Sequence, residues 1–195
     1  MRKSIIAILM TFCLSIMTYA QTPRDRATEL KEQAQSSLNQ KDYIKARYLF
    51  KKAYEAFATR ENYPQAIECG VQANALYVRE NFYKEGFELC RDMDQLIWAG
   101  EQNQKKVFYD LRFLVNKERL QMYTALKNPA QAKTQLNKLE ETANLAKNDS
   151  LTEVLLYTKA NYYYTFNQNT QGDACFRKLI NQYKEKKDYA KVSDC

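Results

Sequence analysis

The residues able to do chemistry in this chain are carboxylates, cysteines and cations, and their spacing assembles no common catalytic site. No His occurs in 195 residues, which excludes a His-based triad and a Cys/His zinc site. Outside the first twenty residues the cysteines are Cys69, Cys90, Cys175 and Cys195, and none forms a CxxC pair. Glu140-Glu141 and Asp92/Asp94 fall on polar helix surface, where solvation is the ordinary account of a carboxylate. A Gly-rich phosphate loop, a GxSxG elbow and metal-ligand spacing are all missing from the sequence. The expectation is a protein with no enzymatic role, no catalytic residue, no bound metal and no cofactor.

Cations outnumber acids, 30 Lys and Arg against 23 Asp and Glu. They are spread along the chain rather than clustered, so nucleic acid is not an expected partner. The densest basic stretch is Arg177-Lys178 with Lys184, Lys186, Lys187 and Lys191. It reads as a solvated helix face, with a polyanion or lipid-headgroup site as the alternative.

The elements that would position any site begin after a leader. Met1-Arg2-Lys3 is a basic start, Ile5 to Ile16 is apolar apart from Thr11 and Ser15, and Thr18-Tyr19-Ala20 ends in small residues. This is the pattern of a secretory signal peptide over residues 1–20, cut after Ala20. A membrane anchor is the alternative, but the run of about 12 residues falls short of the roughly 20 needed to span a bilayer. Cleavage leaves 175 residues with 28 cations against 23 acids. Such a chain is exported to the periplasmic or extracellular side, where disulfides are permitted.

Few breakers occur, four Gly and three Pro, and apolar residues recur with the helical period, as at Ala46, Phe50, Ala53 and Phe57. Start and stop signals then divide the chain into eight helices. Thr22-Pro23 opens the first, Asp42 the second and Asn62 with Pro64 the third. The fourth runs from Phe82 to Ala99 with Gly100 as a left-handed stop, and the fifth from about Gln104 to Lys127. Asn128-Pro129 opens the sixth. A capping box at Ser150-Leu151-Thr152-Glu153 opens the seventh, and Thr170 to Asp173 repeats it for the eighth. Lys187-Asp188-Tyr189 echoes Lys41-Asp42-Tyr43 and starts a ninth.

A trio recurs along these helices. It reads Tyr77–Gly86–Cys90, Tyr123–Ala132–Leu136 and Tyr163–Gly172–Phe176, with a degraded Ser37–Ala46–Phe50 before them. The small members fall at 46, 86, 132 and 172, in steps of 40, 46 and 40, the spacing of a solenoid. Each should sit at a close helix contact. Cys90 then reads as a small hydrophobe. Cys69 and Cys90 are out of step on antiparallel helices and should remain thiols.

These residues resemble the tetratricopeptide repeat (TPR). The likeness is carried by Leu30, Ala34, Ala46, Phe50 and Ala53 with Asp42-Tyr43-Ile44-Lys45-Ala46, and by the later trios with Leu139, Leu156, Ala160 and Leu179. It covers residues 22–187 and implies an all-α fold, a right-handed α-solenoid of about four TPR-like antiparallel helix pairs. The domain it implies is 21–187, with 188–195 the start of a further helix. Two departures stand out: the repeats are longer than 34 residues, and Ala58, Trp98, Asn144 and Lys184 stand where the family has Pro. Longer repeats of this kind resemble the extracytoplasmic sensor regions of bacterial membrane-tethered signalling proteins. That implies a sensing or docking part of a larger protein, tethered through a region beyond Cys195, with a protein or peptide ligand. The alternatives are a freestanding periplasmic scaffold and an enzyme with an unrecognised site. On the fragment reading, the last pair should be the least protected in hydrogen exchange.

In the family the ligand lies on the concave face, lined by the first helix of each pair. The resemblance places Lys31, Gln35, Arg79, Lys117, Gln121, Tyr157, Asn161 and Tyr164 there. The carboxylate clamp known in the family needs Asn where Glu32, Gln72, Glu118 and Thr158 stand, so it is not implied. Plain solvated surface is the alternative for each groove residue. For Tyr157 and Tyr164 it is packing, with Tyr163 the core residue of that cluster, and Trp98 is expected to pack between repeats.

Overall fold

Residues 25–193 are described in a computed structural model of the chain. They form nine helices: α1 (Arg26–Asn39), α2 (Tyr43–Thr59), α3 (Tyr63–Arg79), α4 (Tyr83–Gln104), α5 (Tyr109–Ala125), α6 (Pro129–Ala146), α7 (Asp149–Thr165), α8 (Asn169–Glu185) and the short α9 (Tyr189–Ser193). No described residue is in a strand. Each helix packs on its sequence neighbours, and α5 also touches α3 and α7. The fold is therefore all-α and solenoid-like.

One turn design links almost every pair of helices. The described residues with positive φ are Lys41, Glu61, Asn81, Lys105, Lys127, Lys147, Asn167 and Lys187, and none is Gly. At the first turn the Lys41 N–H donates to Leu38 O at 2.9 Å and the Asp42 N–H to Ser37 O at 2.9 Å. These two bonds define a Schellman motif. The same pair recurs at Glu61/Asn62, Asn81/Phe82, Lys127/Asn128, Asn167/Gln168 and Lys187/Asp188. The residue that closes one helix is also the N-cap of the next. Asp42, Asn62 and Asn128 accept from the N–H three residues on, at Lys45, Gln65 and Gln131.

The left-handed residues step by 20 along most of the chain, but by 24 from Asn81 to Lys105 and by 22 from Lys105 to Lys127. The unit is thus one helix plus one turn. The 46-residue step in the sequence arises because α4 is 22 residues long where α2 and α3 have 17, and because the turn after it, 105–108, has one residue more than the turn 60–62.

Five expected boundaries are corrected. Thr22 and Pro23 lie outside the described residues, and Asp25 caps α1 through the Ala27 N–H. Gly100 ends nothing: α4 continues to Gln104, because a Cβ at Gly100 would stand 2.8 Å from the Phe108 ring and 3.0 Å from Tyr63. Its lack of a side chain serves close packing. Helix α5 starts at Tyr109 rather than near Gln104, since the intervening residues form the turn. The cap of α7 is Asn148, accepting from the Ser150 N–H at 3.0 Å, in place of a Ser150 capping box. For α8 the N-cap is Gln168, with no side-chain bond, and Asp173 instead accepts from the Tyr164 hydroxyl.

All four small residues of the trio are buried: Ala46, Gly86, Ala132 and Gly172. Two apolar clusters result. The first runs from Ala27 through Phe50, Ile67 and Cys90 to Met122, and the second gathers Phe113, Leu120, Leu136, Leu139, Leu155 and Tyr162. Helix α5 feeds both, Leu111, Val115 and Met122 on one side and Phe113 and Leu120 on another. In the tyrosine cluster Tyr162, not Tyr163, is the buried residue, and Tyr163 packs half-buried at the edge. The register of α7 turns the ring one position earlier toward α6. Cys69, Cys90 and Cys175 are buried free thiols, while Cys13 and Cys195 lie outside the described residues. Burial pushes the Cys69 thiol up to about 11 and Cys90 to about 12. Both therefore stay protonated and behave as apolar filling.

Two outcomes are expected. Gly86→Leu adds a side chain where even a Cβ would lie 2.7 Å from Met122 Sδ and 3.0 Å from Asn74 Oδ1. It should lower unfolding free energy by about 1–3 kcal/mol in urea titration. Glu61→Gly relieves a left-handed residue costing about 1–2 kcal/mol, offset by the greater freedom of unfolded Gly. A net gain of about 0.5–1 kcal/mol should follow. Asn81→Gly, from a residue that tolerates the conformation, should change stability by less.

Candidate partner-binding groove

The eight residues expected on the concave face do not form one continuous site. In the N-terminal half they are engaged with the protein itself. Lys31 on α1 reaches α3, where its Nζ donates to Gln65 Oε1 at 2.8 Å and to Glu68 Oε2 at 2.6 Å. Gln35 donates to Asn39 at 3.2 Å along its own helix. The Arg79 guanidinium lies 3.9 Å from the centre of the Tyr43 ring. Of these, the Lys31 contacts bridge α1 and α3, Gln35 bonds within α1, and Arg79 joins α3 to α2.

In the C-terminal half four of the expected residues converge. Lys117 and Gln121 on α5, with Tyr157 and Asn161 on α7, line a groove of about 460 Å³. Lys117, Gln121 and Thr124 follow one another by about one turn on α5, and Val154, Thr158, Asn161 and Thr165 do so on α7, so two parallel ladders face each other. Tyr157 is 52% exposed and Val154 41%, which gives the groove an apolar lip. The Thr158 and Thr165 hydroxyls donate to the Val154 and Asn161 carbonyls at 2.7 and 2.8 Å. The side-chain amides of Gln121 and Asn161 make no hydrogen bond to another described residue.

Tyr164 is not part of this groove, which corrects its placement. It packs over Gly172, stacks on Phe176 at 5.9 Å and bonds Asp173, all on α8. Tyr164 follows Asn161 by three residues and Tyr157 by seven, so it starts from the same helix face, and its contacts with α8 draw the ring out of the groove. Sequence reasoning also missed Lys127. Its signal was present, since it occupies the turn one helical stretch beyond Lys117, but turns are not positions that a helix-face map covers.

Beneath the groove lies a buried polar pair. Glu118 on α5 is 1% exposed, and its Oε2 accepts from Asn74 Nδ2 on α3 at 3.1 Å. Its Oε1 is 3.4 Å from Lys117 Nζ. Burying such a carboxylate is unfavourable unless it is bonded and paired, so this contact fixes Lys117 at the groove floor.

A second cleft, of about 480 Å³, opens on the other side of α5, toward α4 and α6. Trp98 stands at its edge 63% exposed, so it does not pack between repeats as expected. It lies within the length that α4 shares with α2 and α3, and it faces the cleft bordered by α5 and α6. The cations lining the cleft are largely satisfied. Arg119 is bound by Asp94 at 2.5 Å and by Cys90 O at 2.9 Å. Arg112 makes a two-pronged bond to Glu101. Glu101 also accepts from the Phe108 N–H at 2.9 Å, taking the role of the missing N-cap side chain of α5. The carboxylates considered for catalysis are likewise on helix surface: Glu140 pairs with Lys159 at 2.6 Å, and Asp92 lies 4.0 Å from Arg91. Among the described residues no group of three or more His, Cys, Asp or Glu gathers where a metal could sit. No helix among them is long and apolar enough to cross a membrane.

The sequence matches no protein-family model and no curated protein, and the fold matches no solved structure.

The Glu101 contact makes a pH prediction. Its hydrogen bonds from the Arg112 guanidinium, against the opposing effect of burial, hold its carboxyl below the ordinary 4.5. A depressed folded-state value contributes stability that is present above the ordinary value and lost as pH falls through the lowered one. Glu101→Gln should therefore cost about 2 kcal/mol at pH 7 and much less below the lowered value. Urea unfolding at a series of pH values checks it. An equal cost at all pH values would mean that the pair contributes packing only.

Proposed function

We propose that this chain is an exported protein-interaction domain of TPR-like helix pairs, the extracytoplasmic sensing or docking part of a signalling protein. The observation that carries the docking reading is the α5–α7 groove. It is open, it presents the Gln121 and Asn161 carboxamides with no hydrogen bond to another described residue, and it is bordered by exposed Tyr157 and Val154. Peptide ligands fit such a surface because an extended backbone brings its own donors and acceptors. Export is supported by the basic start, short apolar run and small-residue end of residues 1–20. The TPR-like reading is supported by the burial of Ala46, Gly86, Ala132 and Gly172 at the repeat's small positions.

The test has two readouts in a host that exports the chain. Mass spectrometry of the secreted protein should find a mature N-terminus at Gln21. A photocrosslinking residue placed at Gln121 should form a discrete protein adduct, one placed at exposed Lys84 should not, and Asn161→Trp, which fills the groove, should remove the adduct. An uncut leader would overturn the export reading, and equal adducts at both positions would overturn the groove.

A further inference from the structure

We infer that the α5–α7 groove takes an extended acidic peptide, whose carboxylates are held by Lys117 and Lys127. This rests on the docking reading of the same groove and adds the chemistry of its occupant. The two lysines are the ionised side chains among the described lining of the groove, and no Asp or Glu joins them. The field there is positive and has no internal acid at the surface to answer it.

The N-terminal half of the protein shows what is missing. Lys31 and Gln35 on α1 stand four residues apart, as Lys117 and Gln121 do on α5. In the first half, α3 supplies Glu68, and its carboxylate sits 2.6 Å from Lys31 Nζ. In the second half, the residue at the matching place on α7 is Val154, an apolar side chain 41% exposed. Lys31 is thus met by a carboxylate from the facing helix, and Lys117 only by the buried neighbour Glu118 of its own helix at 3.4 Å. A carboxylate brought by a ligand completes at Lys117 the contact that Glu68 makes at Lys31. Glu118 does not substitute for it. It lies beneath Lys117, 1% exposed, and so leaves the ammonium's groove side free.

Geometry sets the ligand's spacing. Lys117 and Lys127 are ten residues apart along α5 and its turn, about 15 Å at the helical rise. An extended chain covers that in about four or five residues. Between the lysines, Gln121 and Asn161 each offer a donor and an acceptor, the complement of a backbone that alternates N–H and C=O. Val154 and Tyr157 provide apolar contact for a side chain between the two acids.

The experiment uses the full secreted chain on an array of immobilised nonapeptides. These carry two Glu at separations from one to seven, in an Ala/Val/Gln background, beside neutral and Lys-bearing counterparts. Binding is expected to peak at a separation of about four or five and to weaken when salt rises from about 50 to 300 mM, as screening requires. Val154→Glu supplies the carboxylate from within and should weaken binding about tenfold. Lys127→Glu, in the exposed turn, should do so as well, and Lys84→Glu, an equal charge change elsewhere, should not. Thermal melts monitored by circular dichroism confirm that each variant is folded. Peptides bound without preference for Glu would overturn this inference and leave the docking reading standing. No peptide bound in any class would overturn both. An acidic polysaccharide bound in place of every peptide would overturn the peptide assignment.

Discussion

The interaction on which the rest of this structure depends is the shared turn residue. At most junctions a single amide closes the preceding helix by bonding back five residues, while the same residue begins the next helix. Four orphan carbonyls and four orphan amides would otherwise be exposed at each joint. The two Schellman amides satisfy two of those carbonyls, and at Asp42, Asn62 and Asn128 the side chain satisfies one amide, so the turn is short and each helix folds back on its predecessor. The register that follows is what buries Ala46, Gly86, Ala132 and Gly172, because the small residues sit a fixed distance past each turn. The cost is a left-handed residue at every joint, carried mainly by exposed Lys, Asn and Glu.

Helix α5 is where that regularity is broken and where the sites arise. It lies between the two apolar clusters and contributes side chains to both. A helix apolar on two sides has little polar face left, so its remaining residues border the groove toward α7 and the cleft toward α4 and α6. The Glu101–Arg112 bond then fastens the long helix to the start of α5, and it does so with a carboxylate that is almost fully buried. Structure and site are coupled at Lys117 as well, where the buried Glu118 and Asn74 tie the groove floor to α3.

The two halves of the concave face differ in a way that local composition does not display. Each offers a Lys and a Gln one turn apart. Only in the first does the facing helix bring Glu68 to meet the cation. Whether a given lysine bridges two helices or borders a groove is decided by one residue some 37 positions away, Glu68 for Lys31 and Val154 for Lys117. The same distinction separates Tyr157 from Tyr164. The first borders the groove, and the second is spent on Gly172, Asp173 and Phe176.

The sequence by itself determined the helical class, the repeat, the four small contact positions and the Asp42, Asn62 and Asn128 caps. These depend on short-range periodicity and on backbone groups within three or four residues, which local composition controls. Spacing also put Lys117 with Gln121 and Tyr157 with Asn161 on one side of their helices, and it was the TPR resemblance that set the two pairs on a common concave face. The tertiary structure decided the rest. Gly100 looked like a stop and became a packing gap, because Tyr63 and Phe108 arrive from other helices. Trp98 looked buried and stands 63% exposed at the edge of the cleft between α4, α5 and α6. Asn148 displaced Ser150 as a cap, and Glu153 was drawn off to Lys186 and Lys191 on α8 and α9. Which groove is open could be known only once each cation's partner across the helix pair was in place, because an ion pair depends on distance in space and not on distance along the chain.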